Sequence, residues 1–379
     1  MNTEKEAFVG GLEDVVANTS KICFLDGKEG RLVYRGYDIH DLVHGHATFE
    51  EVTYLLWYGE LPTVAQLKNF TAELALQREL QPQVLNFLRS IPKHANPMEA
   101  LRTAVSFAGL YDPDNGSETK AANFRKATRL LAQVPTIVAS YERIRQGLEP
   151  VVPDPKLSMA ASFFYLLHGV YPSEFTEQGF NTALILHADH ELNASTFSAR
   201  VTAGTLSDLY SALTSAIGTL KGPLHGGANE QVMKMLLEIG EMDKVDDYID
   251  ASLAAKKKIF GFGHRVYRTE DPRATHLRQL SRQAGVLAGD LLWYEMSRKI
   301  EDQIQQKKGL YANVDFYSAS FYYALGLPTH LFTPIFACSR VSGWAAHVLE
   351  QYQDNRLIRP RAEYTGATHR EFLPLAKRK

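Results

Sequence analysis

Hydrophobic positions recur at helical spacing through most of the chain. Leu209, Leu213, Ile217 and Leu220 follow one another at intervals of four, four and three, which puts them on one helix face. Trp344, Val348 and Tyr352 repeat every four residues in a second segment. Near the N-terminus the period shortens. Ile22 to Leu25 and Leu32 to Tyr34 flank Asp26-Gly27 and Gly30, a pattern that predicts a small β-hairpin. There is no βαβ alternation and no internal repeat.

Breaks in this pattern set the organisation. Leu61-Pro62-Thr63 separates two helical stretches, Asp112 to Gly116 reads as a polar loop tip, and Pro150 to Pro155 is a further interruption. Lys221-Gly222-Pro223-Leu224-His225-Gly226-Gly227 puts three glycines and a proline into a strongly helical region. A hinge or site loop belongs at such a place. Asp271-Pro272 and Leu327-Pro328 mark further boundaries. The breaks leave room for a smaller domain inserted over about 221–324.

Composition then narrows the class. Apolar residues make up 45% and charged residues 22% of 379, ordinary for a globular protein with room for two domains. The formal net charge of −2 supplies no global basic field for nucleic acid or an anionic membrane, so an anionic ligand needs local cationic clusters. Cys23 and Cys338 are far apart and form no CxxC, which fits a reducing cytoplasm better than zinc or dithiol chemistry. No apolar run approaches the roughly 18 residues of a membrane span. Met1 to Glu6 carries acid where a signal or transit peptide would be basic. The expectation is a cytoplasmic protein.

Four segments concentrate the candidate chemistry: His187-Ala188-Asp189-His190 with Asn193 to Ser195; Gly222 to Glu230 around His225; Gly261-Phe262-Gly263-His264-Arg265-Val266-Tyr267-Arg268 running to Asp271-Pro272-Arg273; and Asn313-Val314-Asp315-Phe316-Tyr317-Ser318. Each has a plain structural alternative. His187 and His190 could be hydrogen-bonded core histidines, Asp315 a helix cap, the run Lys256 to Lys258 a solvated helix face, and any one arginine a surface residue. His225 between glycines is the stronger signal, because glycine lets backbone approach a ligand. Gly261-Phe262-Gly263 lacks the third glycine and the βαβ context of a dinucleotide loop. HExxH, GxxxxGKS, GxxxxGKT and GxSxG are absent, so zinc-protease, ATP-driven and serine-hydrolase chemistry have no support.

In this order and spacing, the four segments resemble the citrate synthase family. The resemblance extends to Gly11 to Ala17, to Tyr34-Arg35-Gly36-Tyr37-Asp38-Ile39 and to Ile358-Arg359-Pro360-Arg361, so it spans nearly the whole chain. It implies an all-α fold with a large helical domain (1–220), a smaller inserted helical domain (221–324), a return to the large domain with a C-terminal arm (325–379), and the minor hairpin. It also implies a Claisen-type condensation of acetyl-CoA with oxaloacetate, followed by thioester hydrolysis to citrate.

Carried over residue by residue, the resemblance makes Asp315 the base that takes the methyl proton. His225 becomes the donor to the thioester oxygen, and His264 the donor to the ketone oxygen of oxaloacetate. His190, Arg273, Arg340 and Arg359 would hold the oxaloacetate carboxylates, with Arg359 supplied by the partner subunit of a homodimer. Lys256, Lys258, Ile259, Gly261, Gly263 and Arg268 match the coenzyme A contacts. No metal or further cofactor is expected; acetyl-CoA is a co-substrate. Without the additional N-terminal region of the larger allosteric enzymes, no NADH regulation by that route is expected. The competing reading is 2-methylcitrate synthase, which uses propionyl-CoA; one methyl separates the substrates by only about 1–3 kcal/mol. The forms His187-Ala188-Asp189-His190 and Asp315-Phe316-Tyr317-Ser318 resemble the citrate enzymes more. A zinc hydrolase and a non-catalytic helical scaffold are the readings from other classes.

Overall fold

A computed structural model describes residues 10–12 and 15–378. Glu13 and Asp14 of the N-terminal match, and the acidic segment Met1 to Glu6, lie outside the described residues. A small antiparallel sheet comes first: β1 (Cys23–Asp26), β2 (Arg31–Tyr34) and β3 (Tyr37–Asp38), in that order. Phe24 pairs with Val33 and Tyr34 with Tyr37. The hairpin read from the sequence is therefore present, and a third strand joins it. Arg35 (φ 50°) and Gly36 (φ 97°) form the two-residue turn, and positive φ at both positions matches strand twist.

Helices follow: α1 (Ile39–His44), α2 (Phe49–Tyr58), α3 (Val64–Leu76), α4 (Pro82–Ser90), α5 (Pro97–Gly109), α6 (Lys120–Arg145), α7 (Met159–His168), α8 (Glu174–His187), α9 (Ala194–Gly204), α10 (Leu209–Leu220), α11 (Ala228–Ile239), α12 (Val245–Ala254), α13 (Pro272–Ala288), α14 (Leu292–Lys308), α15 (Val314–Ala324) and α16 (Phe332–Gln353). Their starts are written in side chains. Thr48 and Thr63 close capping boxes with Glu51 and Gln66, and Asp271 caps α13 ahead of Pro272. Gly59, Gly169, Gly240, Gly289 and Gly309 end helices in the left-handed conformation.

Leu209, Leu213, Ile217 and Leu220 are fully buried on α10, as their spacing predicts. Trp344 and Val348 are fully buried on α16, with Tyr352 half-buried beyond them. α16 is enclosed on all sides, from Phe332 through Leu349, which marks it as a central helix. It packs on α2, α5, α6, α8, α9 and α10, while α11, α13 and α14 pack around α15. The loop over residues 221–227 links these two groups of helices. Among the described residues, no helix is long and apolar enough to cross a membrane.

Candidate active site

His225 hangs in the break between α10 and α11. The turn is tight: the Gly226 N–H donates to Leu220 O (3.0 Å), and a Cβ at Gly226 would lie 2.5 Å from Leu220 Cδ1. Glycine is required there by this approach. Facing it, the Ser195 N–H donates to His225 Nε2 (3.3 Å), and Ser195 Oγ is 2.8 Å from the same nitrogen. Ser195 Oγ is itself oriented, accepting from Trp344 Nε1 (3.1 Å) and lying 2.7 Å from Asn193 Oδ1. A backbone N–H can only donate, so Nε2 accepts and the ring proton is assigned to Nδ1. Burial, with Arg340 adding to it, pushes the His225 imidazole down to about 4. The ring is a neutral donor.

His264 presents its other nitrogen. The Val266 and Tyr267 N–H groups donate to His264 Nδ1 (3.0 and 3.1 Å), which assigns the proton to Nε2. Burial and then Arg273 push this ring down to about 4 as well. The loop carrying it is zipped to the chain ahead of α15. The Gly263 N–H donates to Tyr311 O (3.0 Å), the Asn313 N–H to Gly261 O (2.9 Å), and Asn313 Nδ2 to Gly263 O (2.9 Å). Two motifs some fifty residues apart in sequence are thus one structural unit. His190 packs edge-on to His264 with ring centres 5.1 Å apart, and its Nε2 lies 3.3 Å from the Tyr267 hydroxyl. It too is held neutral by burial, then by Arg273 and His264.

Two buried guanidinium groups face this cluster. Asp271 binds Arg273 through both carboxylate oxygens, accepting from Nε (2.9 Å) and Nη2 (2.7 Å). Its Oδ2 also accepts from the Val314 N–H (3.1 Å), joining the start of α13 to the start of α15. Burial raises the Asp271 carboxyl, but Arg273 outweighs it and holds the group below its usual range. Arg340, only 1% exposed, donates Nε to His187 O (2.6 Å) and lies 4.7 Å over the Phe336 ring. It forms no ion pair with a carboxylate among the described residues. Burial lowers it to about 10. An unneutralised buried cation favours an anionic ligand.

Asp315 sits in the first turn of α15, but the cap is Asn313, whose Oδ1 accepts from the Asp315 N–H (3.0 Å). The helix-cap alternative for Asp315 is thereby set aside. Its Oδ1 is enclosed without a hydrogen-bond partner. Burial pushes the carboxyl up to about 7, against the attraction of Arg273, Arg340 and Lys258. A carboxylate there is desolvated and basic.

Five of the six predicted coenzyme A residues lie between the end of α12 and the His264 loop, and Arg268 lies beyond that loop. Lys256, Lys257 and Lys258 are exposed beyond the end of α12, with Lys256 at φ 53°, so they form a turn and not a helix face. Gly261 (φ 83°) and Gly263 (φ 74°) need their glycine conformation, and Ile259 is half-buried between the lysines and the loop. Beside them lies a cavity of about 350 Å³ lined by Lys257, Lys258, Ile259 and Phe260, and also by Lys234 of α11 and Tyr248 of α12. Cations beside aromatic and apolar surface suit phosphates and a nucleobase. Arg268 is exposed, and its N–H donates to Gly27 O (2.8 Å) in the hairpin turn. Arg359 stands apart from all of these, exposed on the C-terminal arm. Sequence reasoning assigned no role to Ser195, Tyr267 or Asp271, although its motifs contained them. Lys234 and Tyr248 gave no signal, because they sit on ordinary amphipathic helices. Among the described residues, no group of three or more His, Cys, Asp or Glu is placed to hold a metal ion.

The buried groups of this region are thus two neutral histidines with assigned N–H donors, an aspartate raised by burial and two arginines. The model of the citrate synthase C-terminal domain matches residues 11–361. The chain belongs to the citrate synthase family. Citrate synthase 2 of Bacillus subtilis is 53% identical over 97% of this chain and 98% of its own length. A 2-methylcitrate synthase of Corynebacterium glutamicum is 41% identical over 97% of this chain and 98% of its own. The solved citrate synthase of Thermoplasma acidophilum, in ternary complex with carboxymethyl coenzyme A and oxaloacetate, superposes with a TM-score of 0.94 at 34% identity. That match covers 98% of this chain and 100% of that one.

Proposed function

We propose that the chain condenses acetyl-CoA with oxaloacetate and water to give citrate and CoA. The observation that carries the reading is the Asp315 carboxyl, enclosed with Oδ1 unpartnered and raised to about 7, with the buried Arg340 acting electrostatically on both it and neutral His225. Asp315 takes a proton from the acetyl methyl while His225 Nδ1–H donates to the thioester oxygen, so the enol forms between a base and a donor. The enol carbon attacks the ketone carbon of oxaloacetate, and His264 Nε2–H donates to the developing alkoxide. Water then cleaves the citryl thioester, releasing CoA as the thiol and citrate as the acid.

Arg273, Arg340 and His190 hold the oxaloacetate carboxylates, and Arg359 of a partner subunit completes the set. Planar guanidinium groups bind carboxylates in a fork that also fixes orientation. Residues 354–378 leave the body almost wholly exposed, with Leu357, Tyr364, Phe372 and Leu375 each more than half uncovered. Apolar side chains on an arm without cover in its own chain support a homodimer in which the arms embrace the partner. Residues 221–324 act as a small domain that closes on the rest (1–220 and 325–379), excluding water from the enol. Lys256, Lys258, Ile259, Gly261, Gly263 and Arg268 line the path of coenzyme A, and Lys234 and Lys257 add charge for its phosphates.

The test is thiol release with oxaloacetate and either acetyl-CoA or propionyl-CoA. A much higher kcat/KM with acetyl-CoA is expected. A preference for propionyl-CoA makes the chain a 2-methylcitrate synthase with the same mechanism, and no release with either overturns the reading.

A further inference from the structure

The stripe of α16 that carries Arg340 continues away from the site through Gly343, His347 and Gln351, along about 16 Å of helix. Each of these positions does something specific. Gly343 lets α16 touch the segment behind His190: its N–H donates to Ala188 O (3.1 Å), and a Cβ there would lie 2.3 Å from that oxygen and 2.5 Å from Asp189 Oδ1. His347 Nε2 lies 3.2 Å from Asp189 Oδ2, and its Nδ1 lies 2.9 Å from Arg200 Nη1. Arginine can only donate, so Nδ1 accepts and Nε2–H donates to the carboxylate.

Arg200 reaches onward, donating Nε to Gln351 Oε1 (3.0 Å) and Nη1 to Glu350 Oε2 (2.7 Å). Gln351 then turns the connection outward. Its Nε2 donates to Asn355 Oδ1 (3.1 Å) and to Arg356 O (3.3 Å), the first residues of the arm. Asn355 Nδ2 in turn donates to Gly204 O at the end of α9 (3.2 Å).

The inner end of this chain is as constrained as the outer. Asp189 Oδ2 also accepts from the Glu191 N–H (3.3 Å), and Glu191 is held at φ 52°, a strained conformation for that residue type directly after His190. Asp189, His347, Arg200 and Gln351 are all at most 2% exposed, so each interaction is sheltered from water.

We propose that Asp189, His347, Arg200 and Gln351 form a chain of positioning residues that sets the His190 turn and the root of the C-terminal arm together. The inference rests on the reading of Arg359 as an oxaloacetate ligand of the partner's site. Through it, each subunit aligns its own His190 and launches its own Arg359 from a single buried scaffold.

Gln351→Glu separates the two ends. It keeps an oxygen for Arg200 and for Asn18, whose Nδ2 donates to Gln351 Oε1 (3.1 Å), but loses the amide donors to Asn355 and Arg356. Asn355→Ala, at an exposed position, removes the Gln351–Asn355 bond and the bond from Asn355 to Gly204 O, with little risk to folding. Both variants, made in the full-length enzyme, are expected to raise the KM for oxaloacetate about three- to tenfold. The kcat and the KM for acetyl-CoA stay near wild type. In an Arg359→Ala background neither variant adds a further rise, because the arm no longer delivers a ligand. Wild-type oxaloacetate KM in both variants, or the same fold-rise with and without Arg359, overturns the positioning chain while leaving the reading of Arg359 intact. An Arg359→Ala enzyme with unchanged KM overturns that reading itself, and the outer end of the chain with it.

Discussion

Asp315→Asn tests whether the site stores an unfavourable charge. In the folded protein burial raises the carboxyl from 3.8 to about 7. The folded state therefore holds this proton more tightly than the unfolded chain does. Stability from that proton is full below the unfolded value near 4 and is lost as pH rises towards 7. At pH 8 the ionised carboxylate costs the folded state about 4 kcal/mol, and at pH 5 under half of that. Asparagine carries no such charge at either pH. The variant is expected to be more stable than wild type at pH 8, with a gap in melting temperature of up to about 5 °C for a chain of this length. The gap narrows at pH 5. Thermal unfolding of both proteins at the two pH values, at matched ionic strength, measures it, and a thiol-release assay should show condensation lost in the same variant. An equal stability difference at pH 5 and pH 8 would refute the claim that Asp315 is raised by burial.

Other expectations follow from the same geometry. The wild-type kcat/KM for acetyl-CoA should fall tenfold per pH unit below about 7, as Asp315 takes up its proton, with no second limb from His225 or His264 above pH 5; a flat profile from pH 5 to 8 contradicts this. His225→Ala should lower kcat by about 100- to 1000-fold while oxaloacetate binding, followed by calorimetry, is retained. Arg340→Leu should weaken oxaloacetate binding by about 30-fold or more in the same calorimetric experiment. Gly261→Ala places a Cβ 2.7 Å from Phe316 Cδ2 at a φ of 83°, whereas at Gly263 the nearest atom is 3.9 Å away. Denaturant unfolding should therefore show a larger loss for Gly261→Ala, about 2–4 kcal/mol, than for Gly263→Ala, about 1–2 kcal/mol.

What could be read from the sequence was what depends on local pattern. The α10 face declares itself because its apolar positions repeat at the helical period and are all buried. The break at 221–227 is visible because its glycines and proline stop a helix wherever they occur. The third strand was hidden: two residues are too few to show alternation, and Arg35 gives no hint that it will adopt a positive φ. Lys256 to Lys258 looked helical by composition, yet α12 ends before them. The chemistry was recognisable from the four motifs, but the reasons it works were not. Asp271 bridging Arg273 to α15, Ser195 fixing the His225 tautomer, and Arg200 joining His347 to Gln351 are contacts between residues far apart in sequence. No periodicity records them, because they arise only when helices are packed.

Acetyl-CoA labelled with ¹³C at the methyl carbon, mixed with oxaloacetate and the purified protein and followed by NMR, tests for carbon–carbon bond formation itself. The label is expected in a methylene carbon of citrate, with one CoA thiol released for each citrate formed. Label recovered as the methyl of free acetate, with oxaloacetate untouched, would make the chain a thioesterase and contradict the condensation.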